Sequence, residues 1–211
     1  VEQFLAVMDR HGIQKAIVAA ADTGPDIGEI SRAIVEYPQR FRAVGVPLGD
    51  TFAEISASLR RQAECGFLGI RIFDRMIAEH PRLLGVMAEL NLIPWVVGGP
   101  ALAPAAKLLA DFLRGGADRC VVAPHFSGAA SPQVLETPGL VRELFEQPRL
   151  LVIFSRHGAY DPDLVRGWAA ALVKKIGWQR ILFGSEFPVC LWRNESYQST
   201  LDWARALDPN L

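Results

Sequence analysis

Long hydrophobic runs are missing from this chain. The longest apolar stretch of its 211 residues falls far short of the ~20 residues a membrane-spanning helix needs, so a membrane partner is not expected. An excess of one charge is missing too. There are 22 Lys and Arg against 23 Asp and Glu, a formal net charge of −1, and the basic residues are scattered in ones and twes without a stripe. That argues against nucleic acid as a partner. Cysteine is scarce: Cys65, Cys120 and Cys190 are an odd count with no metal-ligand spacing. This excludes a disulfide framework and reads as reduced thiols in a cytoplasmic protein. No G-x-G-x-x-G or G-x-x-x-x-G-K-[ST] follows any apolar run, which speaks against dinucleotide and nucleotide binding. The opening residues "VEQFLAVMDRHG" have the periodicity of an amphipathic helix and not the layout of a signal peptide.

What is present is a repeating pattern. Half the residues are apolar, enough for a sizeable core. Short runs rich in Val, Ile and Phe recur as "KAIVAA" from 15, "RAVGVP" from 42, "LGIRIF" from 68, "IPWVVG" from 93, "CVVAPH" from 120, "LLVIFS" from 150 and "RILFGS" from 180, at spacings of 25–30 residues. Helical patterns lie between them and start or stop at Thr, Asp, Pro, Gly and Asn. Near-continuous apolar strands alternating with helices predict an α/β fold with a parallel sheet. Seven strands suit a doubly wound sheet or a barrel of eight βα units. The chain opens on a helix, residues 2–11, with no strand before it. This favours a truncated (β/α)8 barrel: one domain over 1–211, seven parallel strands present, the first strand missing, and the C-terminal end also incomplete. The exposed edges of such a body predict self-association into a homo-oligomer.

Chemistry in such a barrel sits at the C-terminal ends of its strands. "RILFGS" runs into Glu186, in the same alternation phase as Leu182 and Gly184; the acid is either a group aimed into the mouth or a turn residue before Pro188. "CVVAPH" ends in His125, a base, metal ligand or substrate donor, or else a loop histidine bonded to backbone. "LLVIFS" ends in Ser155, Arg156 and His157; strand alternation lets Ser155 and His157 point inward and turns Arg156 away. Arg71, inside "LGIRIF", is costly there without an anion; it holds an anionic substrate or pairs with Glu186 or Asp74. Asp22 and Asp50 read as loop acids, and His11 and His80 as helix-end and turn residues.

These residues resemble a known family. "RILFGSEFP" is similar to the terminal strand motif G-S-D-[WFY]-P of the amidohydrolase-related family. "MDRHGIQKAIV", "YPQRFRAVGVPLGD", "ECGFLGIRIF" and "VVAPHFSG" resemble that family's successive strands in order, over essentially the whole chain. The resemblance implies a distorted TIM barrel and an enzyme: a hydrolase of a lactone, ester or related bond in a small, anionic, carboxylated substrate, with a metal-dependent nonoxidative decarboxylase or a catalytically inactive barrel acting as an interaction subunit as alternatives. It places Glu186 where the family has a metal-binding, water-activating Asp, His125 at the family's H-x-G histidine, and Arg71 where lactonases hold a carboxylate or carbonyl. It implies Glu186 and His125 as catalytic residues, Arg71 as substrate-binding, and Glu186 and His125 as ligands if a metal is bound; Ser155 and His157, read from the strand rim, are expected to bind substrate beside them. The cofactor is then none, or one divalent zinc if the missing first strand carries H-x-H, because Val97, Gly98 and Gly99 stand where metal-using members have a histidine.

Overall fold

The structure is a computed structural model and describes residues 1–20 and 26–206. Among the described residues, seven parallel strands lie in one sheet in the order β1 to β7: β1 (Ala16–Ala19), β2 (Phe41–Gly45), β3 (Gly69–Phe73), β4 (Ile93–Val97), β5 (Val121–Ala123), β6 (Leu150–Phe154) and β7 (Ile181–Phe183). Every strand neighbours its successor. A doubly wound sheet reverses its order midway, so the order excludes it and matches a (β/α)8 barrel short of one strand. Ten helices alternate with the strands among the described residues: α1 (Glu2–Arg10), α2 (Asp26–Glu36), α3 (Phe52–Glu64), α4 (Asp74–Glu79), α5 (Arg82–Glu89), α6 (Ala106–Arg114), α7 (Gln133–Glu136), α8 (Leu140–Glu146), α9 (Pro162–Ile176) and α10 (Tyr197–Arg205). None of them is long and apolar enough to cross a membrane. Asp22 lies outside the described residues.

The chain divides into two compact units. The first comprises Val1–Ile72 and Arg82–Pro94. Its core is built by Met8, Ala33 and Phe41, with Phe4, Leu5, Ala16 and Val18 packed against them. Phe4 stacks on Phe41 at 5.9 Å between ring centroids. Ala16 and Val18 spend one phase of β1 on this core, which turns Ile17 to the other face, where it is exposed. Thr51 caps α3 in a reciprocal box with Glu54. Gln62 is buried, donating to Val46 O at 2.7 Å and Ser58 Oγ at 3.0 Å. Its amide fills the space where a side chain at residue 45 would begin, so Gly45 is the residue that fits.

The second unit comprises Phe73–Pro81 and Trp95–Leu211. The registers Val121↔Leu150 and Val152↔Ile181 align the C-terminal ends of β5, β6 and β7. Trp168 on α9 is fully buried, edge-on to Phe145 at 6.0 Å. Phe126 lies 4.7 Å from Phe154. The apolar bodies of the strands are expected in the core, and β7 departs from this: Leu182 and Phe183 are exposed. The physical reason is position, because among the described residues β7 is an edge strand of the sheet.

Candidate active site

β5, β6 and β7 end together, and the residues just beyond them meet. Each strand stops through a left-handed turn. After β5, His125, Phe126 and Ser127 take φ values of 56°, 57° and 57°; after β6, Arg156 takes 65°; after β7, Glu186 takes 55°. Non-glycine residues adopt this region at a cost and cluster where side chains must be re-aimed. β7 ends at Phe183, so Glu186 is not the last position of a strand, and strand alternation does not decide where it points.

The carboxylate of Glu186 is 14 % exposed. Its Oε1 lies 3.6 Å from His125 Nδ1 and 3.8 Å from Arg156 Nη1. Its Oε2 lies 2.7 Å from Arg193 Nη2. That contact is an ion pair without hydrogen-bond alignment, and Oε2 and Arg193 Nε are buried without hydrogen-bond partners. Arg193 also reaches Glu195 Oε2 at 3.0 Å, so one guanidinium is shared by two carboxylates. Gly184 lets Ile153 of β6 and Ser155 just beyond it close onto its backbone: a Cβ there would lie 2.8 Å from Ile153 Cγ2 and 3.0 Å from Ser155 Cβ.

His125 is held from several sides. Its backbone N–H donates to Ser155 Oγ at 3.1 Å, and its Nδ1 is 3.1 Å from the same hydroxyl. Its carbonyl accepts from Tyr160 Oη at 3.0 Å. The next carbonyl, that of Phe126, accepts from Trp168 Nε1 at 2.7 Å. Ser155 and Glu186 both approach Nδ1. A Ser–His–acid relay needs hydroxyl and acid on opposite ring nitrogens, so this trio is not a nucleophilic triad. Ser155 fixes the ring instead.

The turn after His125 is braced by its neighbour. Buried Asp74 accepts from Gly99 N at 2.9 Å and Arg75 N at 2.7 Å, and Ala101 N donates to Gly128 O at 2.8 Å. Gly128 has φ +71°, and a Cβ there would lie 2.3 Å from Gly99 O. Backbone cannot yield as a flexible side chain does. Gly128→Ala should therefore lose about 1–3 kcal/mol from strain and clash, read as a lower urea midpoint at unchanged slope.

Of the residues singled out in the sequence, Glu186, His125 and Ser155 come together. His157 lies beside them, its ring stacked on Trp203 at 4.7 Å and close to Glu195 and Arg193. Burial pushes its imidazole below the ordinary histidine value, with Glu195 opposing. A depressed histidine leaves stability intact above its unfolded pKa of about 6.5 and loses it as pH falls through the folded value. The urea midpoint should thus drop between pH 7.5 and 5.5, and drop less in His157→Gln. Arg71 is half-buried on β3 in the first unit. Within the second unit, Arg156 and Arg193 face Glu186.

Arg156 corrects the sequence reading. Alternation along "LLVIFSRH" turns it away from Ser155 and His157, yet its guanidinium is near Glu186, because the left-handed residue after β6 breaks the alternation. Arg193 and Glu195 were not anticipated. They follow Glu186 within ten residues as "WRNE", and an Arg-x-Glu pair just past a rim acid was the available signal.

The comparisons agree on the fold. A crystal structure of an amidohydrolase from Burkholderia multivorans with bound zinc superposes with a TM-score of 0.70 at 17 % identity, over 97 % of this chain and 78 % of that one. 5-Carboxyvanillate decarboxylase from Sphingomonas paucimobilis superposes with 0.68 at 12 % identity, over 97 % and 76 %. 2,6-Dihydroxybenzoate decarboxylase from Rhizobium superposes with 0.69 at 15 % identity, over 96 % and 80 %. No curated protein matches the chain.

The zinc of the Burkholderia protein poses a question of fit. A zinc site takes about three protein ligands and a water. Among the described residues no three His, Cys, Asp or Glu are grouped to hold a metal ion. His125 and Glu186 make two, and Arg193 and Arg156 already set positive charge against both oxygens of Glu186. The described residues do not, by themselves, fit a divalent ion. The amidohydrolase family model matches residues 1–210, and on that match, together with the strand order, this chain belongs to the amidohydrolase family.

Proposed function

We propose that this protein hydrolyses a lactone, ester or related bond in a small carboxylated molecule, with Glu186 taking the proton of the attacking water. The observation that carries this reading is the Glu186 carboxylate itself: largely buried at the ends of β5, β6 and β7, and flanked by an imidazole and two guanidinium groups. Hydrolysis asks for a proton acceptor near the carbonyl and for positive charge where the oxyanion forms. Glu186 supplies the first. The His125 side chain, 3.6 Å from Glu186, supplies a candidate for the second. Ser155 keeps the His125 ring in place, and Glu195 holds Arg193 so that its charge persists when Glu186 accepts a proton.

The test is a panel of carboxylated lactones and aryl esters assayed by pH-stat, with carbon dioxide measured in parallel. Hydrolysis releases acid at each turnover and no carbon dioxide. Carbon dioxide release with proton uptake would replace this reading by nonoxidative decarboxylation, the activity named for two proteins of the same fold. Silence across the panel would favour an inactive barrel that serves as an interaction subunit.

A further inference from the structure

We propose that Arg156 is a carboxylate-binding subsite beside Glu186, which selects substrates carrying an anionic group. The inference deepens the hydrolytic reading of Glu186 and rests on it. Its first ground is availability. The Arg156 side chain is 43 % exposed, and its 3.8 Å approach to Glu186 Oε1 is longer than a hydrogen bond. Among the described residues its guanidinium donates no hydrogen bond within the protein. A guanidinium offers five donors in a planar fork that matches a carboxylate in bidentate fashion.

The second ground is the comparison with Arg193. That side chain is 19 % exposed and lies between Glu186 at 2.7 Å and Glu195 at 3.0 Å. Two carboxylates already satisfy its charge, and a third would find it crowded. Of the two cations on Glu186, Arg156 alone keeps an open edge toward solvent.

The third ground is placement. The left-handed turn at Arg156, φ 65° and ψ 30°, carries the side chain out of the strand's alternation and toward the acid. The turn is closed by Ala159 N donating to Arg156 O at 3.1 Å. Tyr160, which donates to the His125 carbonyl, lies within the field of the same guanidinium.

Charge sets the class of ligand. Glu186 would repel a second carboxylate on its own side of the fork. The bound carboxylate therefore sits on the outer edge, with the substrate's reacting carbonyl directed toward Glu186. This suits small acids whose carboxylate and scissile carbonyl are on different carbons.

The test uses benzoate as probe and benzamide as its neutral counterpart, titrated into the purified protein and followed by the backbone amide resonances of residues 157–160, which every variant retains. Benzoate should give a saturable shift and benzamide should not. Arg156→Met should weaken benzoate binding at least 10-fold, and Arg156→Lys should restore part of it. Equal benzoate affinity in Arg156→Met, equal binding of benzamide, or no saturable shift in the unaltered protein each overturns the inference. The two readings fail separately. If Glu186→Gln kept full turnover while benzoate still required Arg156, the hydrolytic base would be wrong and the subsite would stand. If Glu186→Gln lost turnover while Arg156→Met bound benzoate normally, the subsite alone would be wrong.

Discussion

Glu186→Gln is expected to reduce turnover by about 10²–10⁴-fold, the usual contribution of a positioned general base, with KM little changed. Glutamine keeps the length and shape of the side chain and removes only the proton acceptor. A loss in kcat and in kcat/KM by the same factor marks an interaction made in the transition state. The fold should survive, because Arg193 keeps Glu195 as its partner at 3.0 Å when the charge at 186 is gone. Circular dichroism and the urea midpoint check that survival. A variant that stays folded and turns over normally would remove Glu186 from the chemistry.

Trp168→Ala should be the most destabilising of the substitutions considered, at about 3–5 kcal/mol, in the range of a large aromatic cut from a packed core. Trp168 is fully buried, packs edge-on against Phe145, and donates its indole N–H to the Phe126 carbonyl at 2.7 Å. Trp168→Phe separates the two roles. It keeps most of the volume and leaves that carbonyl without its donor, for about 1–3 kcal/mol. Phe126 directly follows His125, so the phenylalanine variant should also loosen the turn that carries the imidazole. Urea unfolding of both variants reads the stabilities. Equal losses would mean that the hydrogen bond contributes nothing beyond packing.

Much of this protein is legible in its sequence. Strand spacing of 25–30 residues and near-continuous apolar runs predicted a parallel sheet, and the strands do run in sequence order. Local patterns succeed there because apolar strands between amphipathic helices have few ways to bury themselves. The rim was legible only in part. His125, Ser155 and Glu186 were visible as polar residues directly after apolar runs. How they meet was not, because the turns after β5, β6 and β7 leave the alternating geometry on which the sequence argument depended.

The residues by themselves therefore determined the element types, the strand order and the polar positions at the strand ends. Only the tertiary structure decided which of those positions share one carboxylate. It brought in Arg156, which alternation had turned away, and Arg193 with Glu195 from the segment beyond Pro188. It also put Leu182 and Phe183 at an exposed sheet edge where apolar composition alone implied a core. The reason is the range of the forces. Hydrophobic periodicity is written over neighbouring residues, whereas a left-handed turn and an ion pair between separate loops depend on contacts that no local pattern encodes.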